Sequence, residues 1–297
     1  MEDKHDAETP VVERDKPTPN GIFNEKLPGT SVDDELLERL ETTENIQKVV
    51  REGLLISAGA AAILLQVAMP GVGLGVENHS NFAYRPLHRL ETTMTFVYCM
   101  AFGTRQEKKA VIEMVHRAHA PVQGANYSAD DPNLQMWVAA TLYASAIYLY
   151  EEVCGKLERH ESDVIYREYS VLAISLRVPP EMWPKNRASF WEYWDSRVAG
   201  LEITDPAKRI AQDLLYNKNL PIYFRLFMPT VRLVTAELLP TRVREGYGLK
   251  STKLRRAAYK SLMAMTKATY PALPKSIRCY PLRFYMKKMR EKTKNMV

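Results

Sequence analysis

An all-α fold is what this sequence predicts, and three observations carry it. Apolar residues recur at helical spacing in one segment after another, alternating period-two runs are nearly absent, and Gly or Pro punctuates the chain between segments. A single large helical domain with bundle-like or globin-like packing follows. At 297 residues, 46% apolar and 26% charged, the chain has the composition of a globular protein with a sizeable core.

Residues 1–30 are rich in charge, Pro, Asn and Gly and read as a disordered acidic tail. Residues 31–249 form the main helical domain, opening with a short amphipathic helix after Asp33-Asp34 that carries Leu36, Leu37 and Leu40. From Gly53 to Val76 no residue is charged, a length that suits a membrane span. Gln66 in its middle, Pro70, and the Gly71–Gly75 run, which reads as turn chemistry, favour instead a buried helix ending near Met69. After the extended Arg85-Pro86 step, a helix runs from about Leu87 to Phe102 and stops at Gly103. Further helices are expected over Glu107–Ala120, Asn133–Tyr150, Glu161–Leu176, Ala188–Val198, Asp205–Leu215, Pro229–Leu239 and Lys253–Thr269. The cluster Phe190, Trp191, Tyr193, Trp194 reads as core packing.

Three cysteines, Cys99, Cys154 and Cys279, share no motif spacing, which argues against a disulfide framework and for a reducing compartment. The polar N-terminus lacks the pattern of a secretory signal, so a cytoplasmic location is expected. Net charge is +6, and from Lys250 onward Glu291 is the sole acidic residue. Residues 250–297 therefore read as a basic helical extension. Either it is a solvated surface or it touches an anionic membrane, the ER included; no nucleic-acid motif accompanies it.

Chemistry concentrates between Arg89 and Trp137. On a helical wheel Val111, Met114, Val115 and Ala118 form an apolar stripe, His119 falls beside it, and His116 lies further round toward the polar face. A buried, hydrogen-bonded His119 with a surface His116 is the plain reading. The sharper one makes His119 the lone axial ligand of a haem. Zinc fits less well, because the His116/His119 pair has no third ligand nearby. Arg89, Thr92 and Thr93 fall within one turn of each other; Arg89 either pairs with Glu91 or binds a propionate or a bound oxygen species.

Several pieces in order resemble one family: Leu64-Leu-Gln66 with Pro70-Gly71, Gly75-Val-Glu-Asn-His79-Ser80, Arg89-Leu-Glu-Thr-Thr93, His116-Arg-Ala-His119, Val122-Gln-Gly124, Tyr127-Ser-Ala-Asp-Asp-Pro132 and Trp137-Val138. Over about residues 50–245 the chain resembles the haem-dependent oxygenases that include latex-clearing protein (rubber oxygenase) and MpaB, with closing Trp-Pro and Tyr-Trp elements closest to the fungal branch. The resemblance implies haem b held by His119 as proximal ligand, with His116 beside it. It implies Arg89 and Thr93 as distal residues, Thr92 where rubber oxygenases carry an iron-capping lysine, and Glu77 as a loosely matched acid/base. The implied activity is O₂-dependent oxidation of a lipophilic, isoprenoid or polyketide-type substrate at a C=C bond, in secondary metabolism. Two other readings stand beside it: a non-catalytic haem- or lipid-binding helical protein, and an interaction protein anchored by residues 53–76.

Overall fold

The computed structural model describes residues 43–80 and 86–294. The expectations for the first thirty residues, the Asp33 helix and the extended Arg85 step lie outside them.

The expected all-α architecture is what the chain adopts. Helix α1 (Ile46–Val50) leads into a 3₁₀ segment (Gly53–Ala58), then α2 (Gly59–Val67), α3 (Pro70–His79), α4 (Pro86–Phe102) and α5 (Arg105–His119). A two-residue hairpin follows, β1 (Gln123–Gly124) against β2 (Tyr127–Ser128), antiparallel with Gln123 opposite Ser128. Then come α6 (Pro132–Cys154), α7 (Arg159–Ile174), α8 (Arg187–Gly200), α9 (Asp205–Leu215) and α10 (Ile222–Leu238). The last four are α11 (Thr241–Gly246), α12 (Lys253–Thr269), α13 (Lys275–Arg278) and α14 (Tyr280–Lys294).

Helix α6 is the hub. Apolar residues surround its whole circumference, from Met136 and Trp137 through Tyr143 to Val153, as a helix enclosed by others requires. Asp131 caps its first turn by accepting from Asn133 N–H, and Pro132 starts it without loss of a hydrogen bond. Helices α2, α7 and α12 pack on it. Rings fill one side: Tyr143 meets Tyr166, Tyr169, Trp183 and Phe190 at centroid distances of 4.8–6.3 Å, mostly edge-on. Trp194 stacks on Trp137 at 5.3 Å, so the aromatic cluster is core, as its composition suggested.

The uncharged run is not one helix. It splits into the 3₁₀ segment, α2 and α3, with a 107° bend between the two halves, and no single helix among the described residues is long and apolar enough to cross a membrane. Ala61, Ala62, Leu64, Leu65 and Val67 are buried in the core. The glycine-rich stretch is a helix rather than the expected turn. Pro70 sits at its first position, where a missing N–H costs nothing, and the glycines allow close approach. A Cβ on Gly73 would meet the Val67 carbonyl at 2.7 Å, and one on Gly71 would meet Leu134 at 2.8 Å. At the bend the indole N–H of Trp137 donates to the Leu65 carbonyl (2.9 Å) and the Tyr247 hydroxyl to that of Leu64 (2.6 Å). The indole thereby satisfies the Leu65 carbonyl, which the end of α2 leaves open, while the Leu64 carbonyl accepts from Ala68 N–H (3.1 Å) as well.

Two further departures have physical causes. Helix α10 begins at Ile222, seven residues before the expected start, and carries Pro229 inside it. Four basic C-terminal residues are also tied to carboxylates of the body: Arg278 to Glu52 (3.0 Å), Lys292 to Glu91 (2.7 Å), Lys288 to Glu91, and Arg290 to Glu107 (2.7 Å). Helix α14 is thereby fastened along α4 and to the first turn of α5. Glu107 also closes a capping box with Thr104.

Candidate functional site

A cavity of about 120 Å³ lies between the 3₁₀ segment, α2, α4 and α6. Its wall is mostly aliphatic, including Leu55, Ile63, Val76, Leu90, Met94 and Leu142, with Gln66, Arg89, Thr93, Ser145 and Tyr169 as the polar exceptions. Arg89 and Thr93 are both solvent-accessible. Burial nevertheless lowers the guanidinium pKa of Arg89, which places it within a concavity rather than on a convex surface. Among the described residues no carboxylate or other acceptor meets this guanidinium. Glu91, the expected partner, is taken by Lys288 and Lys292. Thr92 points elsewhere, its hydroxyl donating to the Arg89 carbonyl (3.0 Å).

Helix α5 presents its histidines in the reverse of the expected order. His116 is buried and His119 half-buried. The buried face is turned toward Lys108, Ile112 and His116, leaving Ala118 outside, because polar partners await on that side. His116 Nε2 donates to the Ser175 carbonyl (2.9 Å) at the end of α7, which fixes its tautomer. Beyond that end Arg177 holds a left-handed backbone (φ 66°) and its guanidinium pairs with Asp130 at 2.8 Å.

His119 is a neutral imidazole. Burial pushes its pKa down to about 4, and the positive charge of Arg89 acts in the same direction. Its Nδ1 lies 3.0 Å from the carboxamide nitrogen of Gln135, which also donates to the Ala129 carbonyl. That carbonyl accepts only, so it fixes the amide orientation; His119 Nδ1 is then an acceptor and Nε2 carries the proton. Among the described residues Nε2 has no protein partner. Gln135 was not singled out from the sequence; its signal was a carboxamide, two residues after Asn133, in the first turns of a largely apolar helix.

Arg89 and Thr93 therefore share one cavity wall, and His119 lies within reach of the Arg89 charge. The other candidates do not join them. His116 ties α5 to α7, and Glu77 pairs with Arg209, joining α3 to α9. Among the described residues no three His, Cys, Asp or Glu side chains gather to hold a metal ion by themselves. An iron already carried in a macrocycle needs only one such ligand.

Two curated relatives, the uncharacterized proteins Mb2261 of Mycobacterium bovis and Rv2237 of Mycobacterium tuberculosis, are each 35% identical over 158 residues. The match covers 50% of this chain and 62% of either relative, and two mycobacterial proteins give the expected fungal branch no support. No solved structure matches. The model of the family described as ER-bound oxygenase mpaB/B'/rubber oxygenase, catalytic domain, matches residues 47–268, and the chain belongs to that oxygenase family.

Proposed function

We propose that the chain is a haem-dependent oxygenase that acts with O₂ on a lipophilic substrate, of isoprenoid or polyketide type, at a C=C bond. The observation that carries this reading is the guanidinium of Arg89, without a carboxylate partner among the described residues, beside Thr93 on the wall of a mostly aliphatic cavity. A cation without a carboxylate in such a place suits an anionic group brought by a ligand, such as a propionate. The aliphatic wall suits an apolar chain and excludes water.

The residues fit a b-type haem. His119 is a neutral imidazole within reach of the Arg89 charge, and its Nε2 has no protein partner among the described residues; haem b would supply the O₂ chemistry when bound. The enclosed volume of about 120 Å³ is below the several hundred typical of cofactor pockets, so the accessible faces of Arg89 and Thr93 belong to the site as well. Ligation through Nε2 requires its proton to leave and Nδ1 to become the donor. The Gln135 amide then turns its oxygen to Nδ1–H, giving up the Ala129 carbonyl. Thr93 offers a hydroxyl on the cavity wall, and Arg89 fixed donors. Neither Thr92, bonded within its own helix, nor Glu77, which joins α3 to α9, lines the cavity.

The test is haem binding and turnover in Arg89→Met against the wild-type chain. The expected result is weaker haem retention and at least tenfold slower O₂ consumption with a long-chain alkene. Unchanged retention and unchanged consumption would remove Arg89 from the site. A wild-type chain that binds haem yet consumes no O₂ with any alkene would favour the non-catalytic haem-binding reading.

A further inference from the structure

The first turns of α10 leave the body of the protein. Ile222, Leu226 and Phe227 are 67%, 74% and 67% exposed, and Phe224 is exposed as well. Only from Val234 onward does the helix become buried, where it packs on α2 and the 3₁₀ segment, both walls of the cavity. At about 100° per residue, Leu226 stands roughly 40° round the axis from Ile222, Phe227 roughly 140° and Phe224 roughly 200°, so the exposed apolar groups span an arc of about 200°. A groove in a protein partner takes one stripe of a helix. Apolar groups over so wide an arc of a helix end suit a fluid medium better than such a groove.

Charge points to which medium. No acidic residue occurs between Asp213 and Glu237, while Lys218, Arg225 and Arg232 do. Arg232 is engaged, donating to the Leu215 carbonyl (3.1 Å) and lying over the Tyr216 ring. Lys218 and Arg225 are exposed beside the apolar tip. An apolar end with cations at its base matches hydrocarbon beneath anionic headgroups.

We propose that the N-terminal turns of α10, through Ile222, Leu226 and Phe227, insert into a membrane surface bearing anionic lipids. This contact differs from one through the basic C-terminal segment, in which Arg278, Lys288, Arg290 and Lys292 are engaged in ion pairs with the body of the protein. It does not depend on the oxygenase reading.

The test is flotation of the full chain with vesicles of phosphatidylcholine alone and of phosphatidylcholine mixed with phosphatidylserine. The wild-type chain should float with the mixed vesicles, and Leu226→Glu/Phe227→Glu should bind them at least roughly tenfold more weakly. Arg225→Gln should weaken binding to the mixed vesicles and leave binding to the neutral ones unchanged. Both changes are at exposed sites, and helical circular dichroism checks that folding is kept. A Leu226→Trp variant gives an independent signal: a blue shift of the new indole emission on mixing with the vesicles. Equal flotation of the double-Glu variant and the wild type would overturn the proposal. So would a wild-type chain that stays in the aqueous fraction, and a dimer in light scattering that the double-Glu variant splits would then assign the surface to a second copy. Vesicle binding without any haem-dependent activity would leave this proposal standing and refute only the oxygenase one.

Discussion

Replacing Gln135 by Leu tests how the candidate site is held. The side chain is 4% exposed, and its carboxamide nitrogen is the donor seen both for the Ala129 carbonyl and for Nδ1 of His119. Leucine matches its size but offers neither contact. The half-buried Ala129 carbonyl left without this donor costs at most about 1–3 kcal/mol, and the lost contact to the imidazole about 0.5–1.5 kcal/mol. The chain should be about 2–4 kcal/mol less stable, a drop in Tm on the order of 10 °C for a domain of this size. Thermal unfolding reads the stability. Nitrogen-15 spectra of the histidine rings read the tautomer, which is proton-on-Nε2 in the wild type and loses its bias in the variant. Gln135→Glu keeps the shape but brings no donor, so it should fail in the same way. A Tm within about 1 °C of wild type together with unchanged ring signals would refute this account of the site.

Three further outcomes follow from the same geometry. The unfolded chain takes up the His119 proton near 6.5 and the folded chain only near 4, so stability should fall as pH drops through that window, by up to about 3 kcal/mol. His119→Asn should flatten that slope, measured as denaturant midpoints at either end of the window. Gly73→Ala places a methyl 2.7 Å from the Val67 carbonyl across the α2–α3 bend and should destabilise by about 1–3 kcal/mol in urea unfolding. Glu91→Gln removes the ion pairs to Lys288 and Lys292; these pairs are partly exposed, so about 1 kcal/mol is expected, read most directly as faster proteolysis within α14.

The helices were legible because their signals are local. Thr104 with Glu107, Asp131 with Pro132 and Thr204 with Pro206 each mark a helix start within a few residues, and the structure begins helices there. What failed depended on distant partners. The glycine run reads as turn until Leu134 and the Val67 carbonyl are seen filling the places side chains would take. The histidine order inverted because the carbonyl that buries His116 belongs to Ser175, 59 residues away. Pro229 looked like a helix start because nothing in sequence shows a helix that continues out of the body through it. Within the site, Arg89 and Thr93 could be named from their spacing, whereas Gln135 acquires meaning only when α6 is laid beside the end of α5.

The most direct test of the central claim is the visible absorption spectrum of the chain reconstituted with haem, oxidised and reduced, beside His119→Ala. The account predicts a Soret band in the wild-type chain, shifted on reduction, that the substitution abolishes or converts to that of free haem. A wild-type chain that stays colourless, or a band unchanged in His119→Ala, would contradict it.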